Sequence, residues 1–509
     1  MKSSRENPPP PYILTLDIGS SSLRALLFDA RGMRVPGVEA REGVHLRTTP
    51  PGASEADPDA LLEALFRAID AALVQAGDRA RDIAGVAVDT FVSNILGVDE
   101  AGRAVVPLTT YADTRAAGEA EALRKEFDEA QVHNRTGCRF HPSYWPARLR
   151  WLHRVWPERT AKVARWLTLG EYLELKLFGE TAVSYSAASW SGLLDRRQLM
   201  WDQALLAALP IEAGHLSPLT DGSRARRGLR PKFAARWPAL ARVPWFPAIG
   251  DGAGANIGSG CASPQRVALT VGTSSAMRAV TTDEIATLPP GLWCYRVDGR
   301  RSLPGGALTE GGMVYAWMLE TLRLEENRLK PVSGEARLSG LEAKLAQIPP
   351  DSHGLTVLPF LAGERSPGWR GDARATIHGL TLATTPLDIL RAGMEAVAYR
   401  IALVYEQLRS LLPADPEIIA SGGALVNSPT WGQIMADVLG RPVTLSRAEE
   451  ASARGAALLA LEALGVLPDI AAAPDLLGET WQPDLQRHTI YRAAMQRQMA
   501  LYDRLMEDE

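Results

Sequence analysis

The feature that most constrains this chain is a strand-turn-strand pattern that occurs twice, about half the chain length apart. β-rich runs that flank a tight Gly/Ser turn predict a hairpin. In the first copy, the strand, turn and second strand are Tyr12–Asp17, Gly19–Ser22 and Leu23–Asp29. In the second copy, they are Val267–Val271, Gly272–Ser275 and Ala276–Val280. A chance match is the alternative, because the second copy lacks the Asp17-Ile18 pair. A true repeat means two similar domains that each offer a polar turn to one cleft.

The length of the chain bears on the same question. At about 150 residues per domain, 509 residues would suggest about three domains. The half-length repeat favours two related lobes instead. A proline- and glycine-rich break at Arg242–Gly254 lies near the midpoint and is the best candidate boundary. We therefore expect domains at residues 1–249 and 250–509.

Strands that alternate with amphipathic helices indicate the α/β class. Asp57 can cap a helix that has a proline in its first turn and ends at Gly77, and the apolar strand Ile83–Val88 follows. Near the C-terminus, the strand Ile418–Ala420 leads into a double glycine and then into a helix capped by Ser428. A strand, glycines and a helix N-terminus in this order form a generic nucleotide seat.

Charge and composition exclude several classes of function. The formal net charge of −4 gives no footprint for nucleic acid or an anionic membrane. No run of about 18 apolar residues and no apolar signal region occur, so we expect a cytoplasmic protein. The three cysteines, Cys138, Cys261 and Cys294, lack the spacing of a zinc site. The motifs of P-loop enzymes, Rossmann dehydrogenases and α/β-hydrolases are missing.

Two aspartates are candidates for chemistry. Asp17 ends an apolar strand beside the first polar turn, where a carboxylate is costly unless it is solvated, paired or bound to a metal such as Mg²⁺. Asp251 precedes a small-residue stretch. It is either a helix cap or a general base that accepts a hydroxyl proton. Both turns can cradle phosphates, because successive N–H groups of a tight turn point at the same anion.

Two further patterns have a structural and a functional interpretation. The segment from Phe140 to Trp201 is rich in tryptophan, and core packing is favoured over the wall of a sugar site. The helix Ser452–Leu464 begins with small residues. Small side chains permit close packing on a neighbouring helix, which we favour, or on a base.

Five motifs in order resemble the FGGY family of carbohydrate kinases, within the actin/Hsp70/sugar-kinase superfamily. They are residues 16–24, 250–256, 270–275, 361–367 and 420–424. The resemblance runs from about residue 12 to 465. It implies an α/β fold of two actin-like (ribonuclease H-like) domains that flank a deep catalytic cleft.

The resemblance also implies ATP and Mg²⁺ as cofactors. Asp251 matches the catalytic base, and Asp17 with Asp251 matches the magnesium site. The chemistry implied is in-line transfer of the γ-phosphoryl group of ATP to a sugar hydroxyl. The residues expected to bind ATP are Gly19, Ser20, Ser21, Ser22, Arg24, Gly272, Thr273, Ser274, Gly312, Gly423, Ala424 and Asn427.

The substrate motifs look most like the gluconate-kinase branch of the family. Asp113 is expected to bind sugar hydroxyls, and Arg115 or His141 to meet a carboxylate; surface ion pairing is the alternative for Arg115. Val92-Ser93 departs from the Met-His common in gluconate and xylulose kinases, so xylulose, another pentulose or a polyol stays open. The residues expected to contact substrate are Thr90, Val92, Ser93, Asp113, Arg115, His141 and Asp251.

An ATPase of the actin/Hsp70 type without a sugar substrate is the rival interpretation. It would share Asp17 and the phosphate turns, but it would need no sugar-contact motifs in the first half. The partners expected are ATP and a small-molecule sugar or sugar acid, with no nucleic acid and no membrane. A homodimer is possible at the level of the family.

Overall fold

The computed structural model describes residues 8–324 and 334–506; the beginning of the polar leader, residues 1–7, lies outside these ranges. The strands are β1 Tyr12–Ile18, β2 Ser22–Phe28, β3 Arg34–Gly43, β4 Glu55–Ala56, β5 Ile83–Thr90, β6 Ile95–Val98, β7 Ala104–Thr109, β8 Arg165–Leu167, β9 Val183–Ser184, β10 Leu194–Asp195, β11 Met200–Trp201, β12 Leu219–Thr220, β13 Ile249–Gly250, β14 Arg266–Val271, β15 Ser275–Ala279, β16 Trp293–Arg296, β17 Ser302–Leu308, β18 Thr356–Leu358, β19 Thr376–His378, β20 Glu417–Ser421, β21 Val443–Ser446 and β22 Leu477–Trp481.

Helices alternate with these strands. They are α1 Pro58–Ala76, α2 Ala117–Glu126, α3 Glu129–Thr136, α4 Trp145–Val155, α5 Pro157–Thr160, α6 Leu169–Phe178, α7 Tyr185–Ser189, α8 Gln203–Leu206, α9 Pro231–Arg236, α10 Asp251–Gly258, α11 Gly312–Thr321, α12 Gly334–Gln347, α13 Pro386–Arg409, α14 Gly423–Asn427, α15 Pro429–Leu439, α16 Ala451–Ala463 and α17 Leu485–Met506. Short 3₁₀ segments lie at Gly77–Asp82, Ala213–His215, Pro238–Leu240 and Ile470–Ala472.

The first lobe is built on a five-stranded sheet in the order β13-β5-β1-β2-β3. The hairpin β1–β2 predicted from the sequence is confirmed, with Ile18 opposite Leu23 across the turn. Strand β1 pairs in parallel with β5, which pairs in parallel with β13. Three strands therefore bring their carboxyl ends to one edge of the sheet.

The second lobe repeats this arrangement in a seven-stranded sheet, β16-β17-β15-β14-β20-β21-β22. The hairpin β14–β15 takes the place of β1–β2, β17 takes that of β3, and β20 and β21 run parallel to β14 as β5 and β13 run parallel to β1. The two hairpins are thus true structural counterparts, and the two-lobed α/β fold expected from the sequence is confirmed.

Helices cover both faces of the first sheet, and these helices come from opposite ends of the chain. Side chains alternate across a strand, so β1 and β2 send one set of apolar residues to α1 and the other to α16. Helix α16 also crosses α10 closely. A Cβ on Gly455 would overlap the carbonyl oxygen of Gly254. The small residues of α16 therefore serve helix packing, as the sequence favoured.

Other local predictions are also confirmed. The Asp57 carboxylate accepts hydrogen bonds from the first turn of α1, and Ser428 caps α15. Most of the tryptophans of the segment 140–201 are buried in the core, and the three cysteines are buried and free. No helix in the described ranges is long and apolar enough to cross a membrane.

Candidate active site

Three carboxylates lie where the parallel strands of the first sheet end. Asp17 is in β1 and Asp89 is directly opposite it in β5. Ile249 of β13 is opposite Asp89, and Asp251 follows two residues later as the first residue of α10. Asp17 is 3% exposed and Asp89 is 0% exposed. The register of the sheet therefore groups these aspartates at one edge.

The proximity of these carboxylates shifts their pKa values. Burial, followed by the negative charges of Asp17 and Asp251, raises the pKa of Asp89 well above its ordinary value. Burial also raises the pKa of Asp17, although Arg24 acts in the opposite direction. Burial raises the pKa of Asp251 to about 6, with Arg278 opposing and Asp17 adding to the shift. These shifts favour the protonated form of Asp89, whereas Asp251, with a pKa of about 6, is mostly ionised at neutral pH.

The donor set fits a magnesium ion. Carboxylate oxygens are hard ligands of the kind Mg²⁺ prefers. Among the described residues, neither carboxylate oxygen of Asp89 has a hydrogen-bond partner. In the described part of the chain, one group of three such side chains has its ligand atoms within 4.8 Å of one another: Asp351, His353 and Glu395. The cleft carboxylates are spaced more widely, which suits an ion that completes its shell with phosphate and water oxygens.

The first phosphate turn is a tight loop beside these carboxylates. The Gly19 N–H donates to the Ser22 carbonyl at 3.0 Å. Ser20 and Ser21 lie at its partly exposed tip. Arg24, expected to bind ATP, pairs with Asp17 at 2.8 Å and with Glu450, the residue before α16. Arg24 therefore links the turn to the second half of the chain.

The second turn is braced by another loop. The Gly272 N–H donates to the Ser274 carbonyl at 2.9 Å, and the Gly272 carbonyl accepts from the Gly312 N–H at 2.7 Å. The Thr273 carbonyl accepts from the Met313 N–H at 3.0 Å. Thr273 and Ser274 themselves are exposed. Their N–H and hydroxyl groups are therefore open to an anion, as in the first turn.

The predicted adenosine residues lie next to this braced turn. A Cβ on Gly312 would lie 3.6 Å from the Cβ of Ala424, so Gly272, Gly312 and Ala424 form one surface. Gly423 and Asn427 are exposed on the short helix α14. Gly422 precedes them with φ +99°, and a Cβ there would overlap the Val271 carbonyl oxygen. Only glycine suits that position.

The loop after β5 reaches the cleft. A Cβ on Gly250 would lie 2.8 Å from Val92, which places Val92 beside Asp251. The Ser93 hydroxyl donates to the Trp190 carbonyl at 2.7 Å, and Thr90 is buried with its hydroxyl donating to the Phe91 carbonyl. Val92 is thus the member of this loop that borders the predicted base.

Asp113 and Arg115 form an ion pair with each other. The Asp113 carboxylate accepts from the Ser54 N–H at 3.1 Å and from Nε of Arg115. The Arg115 guanidinium also pairs with Glu55 at 2.5 Å and lies 4.4 Å over the Trp151 ring. This buried ion cluster uses the groups that were predicted to contact a substrate. The pairing expected as the alternative for Arg115 is present, although it is buried and not on the surface.

His141 lies in the wall of the cleft. Its Nδ1 is bonded to Ser143, and its ring meets Tyr144 and Trp369 edge-on with centroids about 6 Å apart. Burial, followed by the positive charge of Arg365, lowers the pKa of His141 to about 3. The ring is therefore neutral, so it can exchange hydrogen bonds with a ligand but offers no positive charge to a carboxylate.

Three stacked aromatic rings, here called the aromatic wall, are buried beside Asp251, which agrees with the core packing that the sequence favoured for Trp190. The rings of Trp190 and Tyr295 stack with centroids 3.4 Å apart, and Trp293 stacks on Tyr295. A Cβ on Gly252 would lie 3.1 Å from the Trp190 ring. Because these aromatics come from separate segments, their composition alone could not identify the wall.

Two charged residues of the cleft were also missed. Asp89 carries the same signal as Asp17, a carboxylate at the end of an apolar strand beside a polar loop. Arg278 is the charged residue of strand β15, and Asp251 is the opposite charge that acts most strongly on it. Both signals are visible in the sequence.

Comparison with known proteins agrees with this geometry. Gluconokinase from Bacillus subtilis (strain 168) is 27% identical over 478 residues, which cover 94% of this chain and 91% of that protein. Glycerol kinase from Stenotrophomonas maltophilia (strain K279a) is 30% identical over 468 residues, 90% of each chain. The crystal structure of xylulose kinase from Rhodospirillum rubrum superposes with a TM-score of 0.87 at 26% identity, covering 97% of this chain and 99% of that one.

The two halves also match the two domains of one family. Residues 12–258 match the N-terminal domain of the FGGY family of carbohydrate kinases, and residues 267–464 match its C-terminal domain. Because both halves match the two domains of this one family, this chain belongs to the FGGY family of carbohydrate kinases.

Proposed function

We propose that the protein transfers the γ-phosphoryl group of ATP to a hydroxyl of a sugar or sugar acid, with Asp251 as the general base. The observation that carries this proposal is the position of Asp251. It lies in the field of Asp17 on the phosphate side and of Arg278 on the side of the aromatic wall. A hydroxyl that reaches Asp251 would meet a carboxylate that can accept its proton.

In the proposed reaction, the turns bind the phosphates and the carboxylates bind the metal ion and accept the proton. The turns at Gly19–Ser22 and Gly272–Ser274 orient the phosphates through their N–H groups, and the surface around Ala424 and Asn427 receives the adenosine. Asp251 takes the proton of the attacking hydroxyl. Asp17 and Asp251 would hold Mg²⁺ next to the phosphates. The ion would neutralise the charge that develops on the transferred group. Arg24 orients Asp17 through their ion pair.

A gluconate-like sugar acid is the favoured acceptor. The support is the similarity to gluconokinases together with the substrate motifs of the first half. Xylulose, another pentulose or a polyol is the alternative, which the similarity to xylulose and glycerol kinases supports. Val92, beside Asp251, is the side chain at which this chain departs from the common motif.

The organisation of the molecule is part of the same proposal. We keep the domain boundary between residues 249 and 250, which falls within the short strand β13 just before Asp251 begins α10. The family resemblance further supports a cytoplasmic enzyme and a homodimer. Sedimentation velocity at several protein concentrations would test the oligomeric state.

The decisive experiment is an ADP-release screen with sugars, sugar acids and polyols. We expect one acceptor class to raise ADP release far above basal hydrolysis, and Asp251→Asn to reduce turnover by about 10²–10⁴-fold. Asp78→Asn, at a side chain that is 95% exposed, is the matched control. ATP hydrolysis that no acceptor changes would favour the actin/Hsp70-type ATPase, and a folded Asp251→Asn variant with near-normal turnover would refute the base assignment.

A further inference from the structure

Two arginines at the cleft have no side-chain partner among the described residues. The Nε atoms of Arg278 and Arg365 are buried without a hydrogen-bond partner. Within the described ranges neither guanidinium forms an ion pair, whereas Arg115 has two carboxylate partners. A guanidinium has five donors in a fixed fork, and a buried donor without a partner, as Nε is here, is costly. Residues 8–324 and 334–506 therefore supply no ion-pair partner to these two positive charges.

Arg278 lies on the substrate side of Asp251. A Cβ on Gly252, the residue after Asp251, would lie 3.8 Å from Nε of Arg278 and 3.1 Å from the Trp190 ring. Arg278 is opposite Gly305 in β17, and a Cβ on Gly305 would press against the arginine stem at 3.1 Å. The glycine leaves room for this side chain to run along the sheet toward the aromatic wall.

Arg365 is held near Arg278 by the loop that carries it. The Ser366 N–H donates to the Ala307 carbonyl at 3.0 Å, and the Ser366 hydroxyl accepts from the Ala307 N–H. Ala307 is two residues beyond Gly305 in β17, so the loop is fixed to the strand beside Arg278. The charges of the two arginines repel each other, and Arg365 also acts on His141 and Tyr295.

The groups around this pair do not neutralise it. Asp251 is the carboxylate that acts most strongly on Arg278, and Glu310 acts on Arg365, but neither forms an ion pair with them in the described chain. The other near groups are His141, which is neutral, and the hydroxyls of Tyr144 and Tyr295, which bond to each other. A negative charge on a bound ligand would satisfy both guanidiniums.

The position favours a carboxylate over a phosphate of ATP. Arg278 lies four residues beyond Ser274 along an extended strand, which is about 13 Å at about 3.3 Å per residue. The phosphates are expected at the turn, whereas Arg278 Nε lies close to Gly252, the residue after the predicted base Asp251. An anion at Arg278 therefore belongs to the phosphoryl acceptor.

We infer that Arg278, assisted by Arg365, binds the carboxylate of a sugar acid and so selects aldonates over neutral sugars and polyols. This inference rests on the proposed kinase function and names the acceptor class for the same cleft. The carboxylate role thereby moves from Arg115 or His141 of the first lobe to two arginines of the second. The sugar would lie between Asp251 and the arginines, with its carboxylate at the arginines and one hydroxyl at Asp251.

The test compares matched acids and alcohols. D-Gluconate and D-glucitol differ by a carboxylate in place of a terminal CH₂OH, and C4 and C5 aldonates with their alditols extend the panel. Calorimetry without nucleotide measures binding, and ADP release measures kcat and KM. We expect the intact protein to prefer an aldonate to its alditol by about 100-fold, and Arg278→Gln to remove most of that preference.

Two further variants sharpen the result. Arg278→Lys keeps the charge but loses the fork, so it should retain an intermediate preference. Arg67→Gln makes the same change at an exposed arginine paired with Glu42 and should leave the preference intact. Thermal unfolding of each variant checks that the fold is retained.

The outcomes separate this inference from the proposed function. Turnover of neutral acceptors with no preference for aldonates would overturn the carboxylate site while the kinase stands. An Arg278→Gln variant that raises the KM for ATP equally with every acceptor would also overturn it, because the arginine would then serve a phosphate. Absence of ADP release with every acceptor would refute the kinase proposal, whereas aldonate binding that Arg278→Gln abolishes would still support the site.

Discussion

The charge on Asp251 decides when the proposed reaction can run. Burial raises its pKa to about 6, and Arg278 acts in the opposite direction. A base must be deprotonated to accept a proton, so activity is present above the pKa and is lost as the pH falls through it. We expect kcat/KM to fall about tenfold per pH unit below about pH 6.

The measurement is a pH–rate profile with the preferred acceptor. Removing the positive charge by Arg278→Gln should move the inflection to higher pH, because that charge favours the ionised carboxylate. A profile that is flat between pH 5 and pH 8 would contradict the role of Asp251.

Asp89 gives a prediction about stability. Its pKa in the folded protein is raised well above the ordinary value by burial and by its neighbours. The stability linked to this group is therefore complete at low pH and is lost as the pH rises through the folded pKa. Asp89→Asn, which cannot ionise, should be more stable than the original at pH 8, by roughly 1–3 kcal/mol, and the gain should shrink toward pH 4.

Urea unfolding without ATP or Mg²⁺ at several pH values measures this effect. Asp78→Asn, at an exposed site, should show no such pH-dependent gain. A variant of Asp89 that is less stable at pH 8 than at pH 4, relative to the original, would mean that Asp89 is ionised and paired in the fold.

At the scale of elements, the crossing of α10 and α16 leaves no room for a larger side chain at Gly455. A Cβ on Gly455 would overlap the Gly254 carbonyl oxygen, which belongs to backbone and cannot move alone. Gly455→Ala should therefore lower the free energy of unfolding by about 1–3 kcal/mol. Chemical denaturation checks this value.

Gly118→Ala is the matched control for that change. Gly118 lies in α2 with open space around its Cβ position, and alanine favours helices over glycine by roughly 0.5–1 kcal/mol. We expect this variant to be slightly stabilised. Equal losses in both variants would mean that the crossing is not the cause.

Elements were largely predictable from the sequence because their signals are local. The hairpin turns, the Asp57 cap of α1 and the Ser428 cap of α15 each depend on a few neighbouring residues. Contacts between distant segments were not predictable in this way. The ion pair between Arg115 and Glu55 depends on a contact between β4 and a distant loop. The register that places Asp89 opposite Asp17 depends on the parallel pairing of β1 and β5.

At the scale of the whole molecule, the half-length repeat predicted the two lobes and the place of both Gly/Ser turns. It did not predict the aromatic wall or the arginine pair, because a repeat relates equivalent positions and does not show which distant segments meet. Trp190 comes from the first half of the chain, whereas Tyr295, Arg278 and Arg365 come from the second.

The route of α16 has a consequence for how the molecule is made. This helix comes late in the chain, yet its Ala453, Ala457 and Leu458 cover Ile13 and Phe28 of the first sheet. During synthesis, β1 and β2 lack the cover of α16 until more than 400 further residues have been added. The first lobe therefore completes its own core only when the end of the second half has been made.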